Sequence, residues 1–243
     1  YDLTTTFNLH SKLNSNRFIY LNFIGYTVTN TYWNSYFEQE PFNLQRFGNN
    51  LAIADKENVI NRIIQLIWRI VAEAYSIWDV DVTTEKPSDQ DLSNTLIDNN
   101  MNYIDNKYGT QCIIGELTPI PGFGGIALLG SFISAQICFV FSNALGNNVR
   151  DISSAIIHEL GHTLNLDHKG TIINGETTEY YAGTEIWAPF MGVGYFSLVN
   201  QWSAGEYANA NNVVDEIATI STYLNIISDD FSNQMNKETT YIK

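Results

Sequence analysis

The sequence has little cysteine and little positive charge, and each shortage excludes a class of protein. Two cysteines in 243 residues rule out a disulfide-rich scaffold, because Cys112 and Cys138 can form at most one bridge. Whether they pair, and in which redox compartment, stays open. There are 12 Lys and Arg against 26 Asp and Glu, for a net charge of -14. Nucleic acid is therefore not an expected partner, because its phosphates need a basic surface.

Long apolar runs are also missing, so no segment is expected to span a membrane. The chain begins at Tyr1 without a basic and then apolar leader, and we expect any signal peptide to have been removed. Apolar residues make up 44% of the chain, enough to bury a substantial core. These features predict a soluble globular protein, and we expect a monomer.

The apolar patterning predicts strands and helices in alternation. Residues 17–25 are typical of a strand, and isoleucines at helical spacing predict a long amphipathic helix over 56–76. A helix is also expected to begin near Asn147 or Asn148, with a last amphipathic helix over 213–227. Residues 88–108 are polar and predict a loop with one short helix. Further strands are predicted over 80–87, 111–117, 124–132 and 136–143.

This order predicts an α/β (α+β) fold, a twisted mixed sheet with long helices packed on it. No linker or repeat interrupts the sequence, so we predict one domain over 1–243. Its N-terminal sheet and helix subdomain would span 1–168. A smaller, irregular C-terminal subdomain over 169–243 would end in a helix, with a cleft between the two parts.

Three of the four histidines fall within the stretch HELGHTLNLDH. On a helix, His158 and His162 lie on the same face and can present two imidazoles to one ion. His168 is the natural third ligand if the chain turns sharply after the helix, and three ligands with one open position are typical of catalytic zinc. Asn165 stands where that turn needs a left-handed residue, and asparagine tolerates this conformation best after glycine.

Glu159 would stand beside the ion without binding it. Zinc makes its bound water acidic, and a neighbouring carboxylate can take that proton and pass it to a leaving amine. These groups suit peptide hydrolysis. Two alternatives stay open, a non-catalytic secreted zinc-containing binding or adhesion protein and a zinc hydrolase of non-peptide amides. Calcium also stays open: the acidic charge could attract it, but no Asp-x-Asp-x-Asp-Gly loop is present.

The stretch from His158 to His168 resembles the His-Glu-x-x-His-x-x-Gly-x-x-His signature of the metzincin zinc endopeptidases, with Asn165 at the glycine position. Blocks from about residue 8 to 225, among them GGIALLGSF and QWSAGEYANANN, look like secreted bacterial, reprolysin-like members. The resemblance implies a secreted endopeptidase that acts on proteins or peptides. It also implies that GGIALLGSF is an edge strand that pairs with extended substrate.

The resemblance implies roles for further residues downstream. Met191, in WAPFMGVGY, would form the methionine turn beneath the three imidazoles. Some metzincins carry a tyrosine two positions after this methionine. Here that position is Val193, and Tyr195 is the candidate for steadying the transition state or lining the cleft. Close relatives often have Asp directly after the third histidine, whereas here Asp167 precedes it and Lys169 follows it.

Overall fold

The protein is described by a computed structural model that covers residues 2–94, 106–118, 120–134 and 136–227. The α-helices are α1 (Tyr32–Tyr36), α2 (Lys56–Ala74), α3 (Asp89–Leu92), α4 (Val149–Thr163) and α5 (Glu216–Ile220). The strands are β1 (Arg17–Asn22), β2 (Tyr26–Val28), β3 (Phe42–Arg46), β4 (Asp81–Thr83), β5 (Tyr108–Glu116), β6 (Gly125–Ile126), β7 (Cys138–Phe141), β8 (Thr171–Ile173), β9 (Glu176–Thr178), β10 (Trp187–Pro189) and β11 (Val199–Gln201). Within the described ranges, every helix is too short or too polar to span a bilayer.

Strand β5 forms the centre of a seven-stranded mixed sheet. It pairs in parallel with β1 along one edge and with β7 along the other, and β4 extends the sheet in parallel beyond β1. Strands β2 and β3 and the short β6 join in antiparallel fashion. The predicted mixed sheet is therefore confirmed.

Alternating side chains divide the sheet between two apolar cores. Ile114 and Val140 face α2 and α4, which pack together on one side of the sheet. Ile113 and Phe139 face the other side, where Trp33 of α1 covers them with its ring 5.3 Å from that of Phe139. The active-site candidates on α4 are thus carried by a helix that is fixed against the larger core.

Both long helices agree with the prediction. Helix α2 spans Lys56–Ala74, and α4 begins at the cap Asn148, whose side chain accepts hydrogen bonds from Arg150 N and Asp151 N. The predicted first strand is shorter, and residues 95–105 of the predicted polar loop lie outside the described residues. Cys112 and Cys138 face each other across β5 and β7, and both thiols are buried and free.

Other predicted elements are also wrong in extent. The strands expected over 80–87 and 136–143 are limited to Asp81–Thr83 and Cys138–Phe141. In GGIALLGSF only Gly125–Ile126 forms a strand, because Gly130 turns the chain away and donates its N–H to His162 O at the end of α4. The predicted helix over 213–227 is reduced to α5, because the chain leaves it to pair with residues 77–79. There Ile227 N donates to Ile77 O, and Asp79 N donates to Asn225 O.

The expected irregular C-terminal half contains two small sheets that the sequence did not indicate. Strands β8 and β9 form an antiparallel hairpin, and β10 and β11 pair in parallel. Each strand has only three residues, too few for a period of two to stand out from the sequence. The hairpin follows the third histidine directly and returns the chain to it.

Candidate active site

Helix α4 brings the first two histidines together. His158 and His162 are one helical turn apart on the same face, and their ring centroids are 4.7 Å apart. The helix then ends in a Schellman motif. Leu166 N donates to Gly161 O at 3.0 Å, and Asn165 N donates to His162 O at 2.9 Å.

Asn165 adopts the left-handed conformation that the sequence predicted, with φ at 68°. Its side chain is exposed and makes no hydrogen bond within the part of the chain that the structure describes. The turn therefore uses the tolerance of its backbone. It reverses the chain so that His168 comes back to the helix, with its ring 4.7 Å from that of His162.

The three histidines form the one group among the described residues with the arrangement of a metal site. One ligand nitrogen from each ring lies within 4.8 Å of the other two, and His162 Nε2 is 2.9 Å from His168 Nε2. Two ring nitrogens this close repel each other when both point a lone pair at the other. A proton or a cation between them removes this repulsion. The cluster is therefore a place where a cation would be stabilised.

The hydrogen bonds at the three Nδ1 atoms favour a metal cation over a proton between the Nε2 atoms. His158 Nδ1 lies 3.0 Å from Phe190 O, and His162 Nδ1 lies 2.7 Å from Leu166 O. His168 Nδ1 lies 2.7 Å from Glu179 Oε1. Since all three partners are acceptors, each neutral ring carries its proton on Nδ1 and turns the Nε2 lone pair inward.

Burial keeps the two helical histidines neutral. It lowers the pKa of His158 to about 3 and that of His162 to about 4. Zinc binds neutral imidazole, and three such ligands are typical of catalytic sites. The three residues therefore fit zinc in number and in atom type, and the two helical histidines fit it in protonation as well.

Glu159 projects from the same helix into a small cavity next to His158. The cavity has a volume of about 190 Å³, and its lining includes His158, Glu159, Gly125 and Gly192. Glu159 is 7% exposed, and burial raises the pKa of its carboxyl to about 8. Strand β6 covers it so closely that a Cβ at Gly125 would lie 2.7 Å from Glu159 Oε1.

Met191 is fully buried against the helix that carries the ligands. A Cβ on Gly161 would lie 2.5 Å from the Met191 sulfur, so the two residues pack without space for any other side chain. The backbone of this turn also contacts the site. Phe190 O accepts from His158, and Met191 O accepts from Lys169 N at 2.8 Å.

Two tyrosines line the cavity beside Glu159. Tyr195 was the sequence candidate for a role in the chemistry, and Tyr180, expected only as a structural or cleft-lining residue, lies with its ring centroid 4.2 Å from that of His168. Burial raises the pKa of Tyr195, and it raises that of Tyr180 to about 12. Both phenols are therefore protonated at neutral pH and are able to donate hydrogen bonds. Val193 also lines this cavity.

The residues flanking the third histidine do not hold its ring. Asp167 is exposed, and Lys169 is fully buried with its Nζ directed at Val214 O and Asn212 O, 2.6 and 3.0 Å away. The acceptor of the His168 ring is Glu179, which the sequence analysis missed. No spacing rule indicated Glu179, because it reaches the site only after the β8–β9 hairpin.

Comparison with known proteins adds an independent observation. Residues 50–169 match the family described as Metallo-peptidase family M12B, Reprolysin-like. The family match and the three histidines support a zinc metallopeptidase. The matched region runs from before α2 to just after His168 and is slightly less than half of the chain. No curated protein matches the chain.

The family match and the histidine cluster also bear on the predicted substrate and on the predicted metals. A peptidase family implies a protein or peptide as substrate. Neither the match nor the histidine cluster supports the calcium site that the sequence left open.

Proposed function

We propose that the protein is a secreted, zinc-dependent endopeptidase of the metzincin type. His158, His162 and His168 would hold the zinc, and Glu159 would move the proton. The observation that supports this most strongly is the convergence of three inward-facing Nε2 atoms, each fixed by an acceptor at Nδ1. Secretion rests on the resemblance of the sequence to secreted bacterial members.

Bound zinc supplies a Lewis acid that makes water nucleophilic near neutral pH and polarises the carbonyl under attack. The Glu159 carboxylate would take the proton that the attacking water loses. It would then transfer this proton to the amine nitrogen that leaves. Burial raises the pKa of Glu159 to about 8 in the zinc-free protein, and the positive charge of a bound zinc would lower it again. The carboxylate that accepts the proton would then be present near neutral pH, and the protonated form could release it.

The peptide would lie along β6. This strand pairs with β7 through Gly125 and Ile126, and an extended segment could add to its other edge by backbone hydrogen bonds. Since Gly125 is in contact with Glu159, a peptide bound there would pass directly over the carboxylate. Tyr195 would donate a hydrogen bond within the same cavity, and Met191 would support the ligand helix from below.

The proposal is tested by measuring zinc content and cleavage of a broad peptide library on the same preparation. We expect roughly one zinc per chain, cleavage at defined bonds, loss of cleavage with a chelator and recovery on addition of zinc. Glu185 is an exposed carboxylate on the loop before β10. The variant Glu185→Gln serves as a control and should cleave at the wild-type rate.

Two outcomes would favour the alternatives. Stoichiometric zinc without cleavage of any peptide would favour a binding or adhesion protein. Cleavage of small amides but of no peptide in the library would favour a hydrolase of non-peptide amides. A protein that binds no zinc would contradict the proposal altogether.

A further inference from the structure

The third histidine differs from the other two in how it is supported. His158 and His162 are parts of α4, and their Nδ1 atoms are held by backbone carbonyls. His168 lies beyond the end of the helix, so helical geometry does not set the direction of its ring. Its backbone is held through Asn212 Nδ2, which donates to His168 O at 3.0 Å, but this bond leaves the side chain free to rotate.

Two consecutive residues hold the His168 side chain. Glu179 Oε1 lies 2.7 Å from His168 Nδ1. The ring of Tyr180 packs on the imidazole with a centroid distance of 4.2 Å and an angle of 42° between the planes. One contact fixes the nitrogen that carries the proton, and the other fixes the plane of the ring.

The β8–β9 hairpin delivers these two residues. Its two-residue turn, Asn174 and Gly175, has φ at 53° and 85°, as a tight hairpin turn requires. After β9, Tyr181 N donates to Lys169 O at 2.7 Å. The chain is therefore anchored to the residue that follows His168 at the point where Glu179 and Tyr180 reach the ring.

We propose that Glu179 is a positioning residue that sets the tautomer and direction of the His168 ring for zinc, with Tyr180 packed against the same ring. This inference rests on the proposed function, since His168 is the third proposed ligand. Among the residues that the structure describes, a carboxylate contacts the ring of His168, whereas the rings of His158 and His162 are held by backbone carbonyls. A carboxylate holds the Nδ1 proton more strongly than a carbonyl does and makes Nε2 a better donor to a metal.

The stability of the fold should depend little on this pair. The Glu179 side chain is 66% exposed, and ion pairs with this much solvent contribute little to folding. A purely structural role and a positioning role therefore predict different results. The first would lower stability, whereas the second would lower zinc affinity with little change in stability.

The test compares the wild type with Glu179→Ala and Glu179→Gln, and Glu176→Gln on the exposed strand β9 is the matched control. Zinc affinity is measured by competition with a chelator. We expect Glu179→Ala to bind zinc about 10 to 100 times more weakly, with the glutamine variant between it and the wild type because an amide oxygen still accepts. The control should stay within about twofold of the wild type.

Two further measurements are made without zinc. Urea unfolding should give the same midpoint for all four proteins. Nitrogen NMR of the histidines should show the His168 proton on Nδ1 in the wild type and a mixture of tautomers in Glu179→Ala. Unchanged zinc affinity in Glu179→Ala, or a loss matched by a fall in the urea midpoint, would overturn the inference.

The NMR measurement separates this inference from the proposed function. The tautomer is observed without zinc and without peptide, so a protein that cleaves nothing could still show the Glu179 effect. Conversely, if the protein cleaves peptides but the His168 tautomer is the same in wild type and Glu179→Ala, the proposed function stands and this inference is wrong.

Discussion

Asn165 offers a quantitative test of how the site is built, because it occupies the position where the sequence signature has glycine. Its φ of 68° is a conformation that costs an ordinary L-residue about 1 to 2 kcal/mol, and that glycine adopts freely. The side chain is exposed. Removing it should therefore cost nothing beyond the change in backbone preference.

We expect Asn165→Gly to change the free energy of unfolding by less than about 0.5 kcal/mol, because relief of the left-handed strain is offset by the larger entropy of glycine in the unfolded chain. Asn165→Ala should lose about 1 kcal/mol, and Asn165→Val about 2 kcal/mol, because a branched side chain fits this conformation worst. Urea unfolding of the zinc-free protein measures all three.

The matched control is Asn30→Ala. Asn30 is exposed with φ at 53°, in the loop between β2 and α1, far along the chain from His158, His162 and His168. It should lose a similar amount of stability and keep wild-type zinc affinity. The alanine at 165 should also weaken zinc binding, because the turn positions His168. A loss of more than about 2 kcal/mol in Asn165→Gly would refute this reasoning, since the Asn side chain would then be essential.

Three further substitutions test individual contacts in the structure. Gly125→Ala should lower peptide cleavage about tenfold or more at unchanged zinc content, because the new methyl would lie 2.7 Å from Glu159 Oε1 and 2.8 Å from Phe139 O and would displace the proposed general base; full activity would contradict this. Lys169→Met should lower the free energy of unfolding by about 2 kcal/mol, measured by urea unfolding, because the part-buried carbonyls of Asn212 and Val214 lose a charged donor; an unchanged midpoint would contradict this. Burial lowers the pKa of His10, but hydrogen bonds to Asp81 and Glu85 outweigh it, so the pKa is raised in the folded state. His10→Gln should therefore remove most stability below about pH 6.5, which is the pKa of histidine in the unfolded chain. The loss should vanish as the pH rises through the higher pKa of the folded protein. A loss of stability that does not depend on pH would exclude this linkage.

Much of the site could be predicted because its geometry is local. A spacing of four residues on a helix places His158 and His162 on one face, and the left-handed preference of asparagine accounts for the turn to His168. Hydrophobic periodicity likewise located α2 and α4, since long amphipathic helices repeat their pattern many times. In each case the sequence itself contains the physical constraint.

The rest depends on contacts between residues that are distant in the sequence. Glu179 follows His168 by eleven positions, and only the hairpin makes them neighbours. The last helix stops after Ile220 because the chain that follows pairs with residues 77–79. Likewise, β6 is two residues long because Gly130 bonds to the end of α4. The hydrophobic periodicity of one segment does not indicate which distant segment it contacts in the fold.

The central claim is that Glu159 moves the proton at a zinc site formed by three histidines. The most direct measurement is the rate at which wild type and Glu159→Gln cleave one peptide, with both proteins matched for zinc content. Glutamine has nearly the same shape but cannot accept the proton. We expect the rate to fall by about 10² to 10⁴-fold while roughly one zinc per chain is retained. A glutamine variant that cleaves the peptide at the wild-type rate would contradict the account.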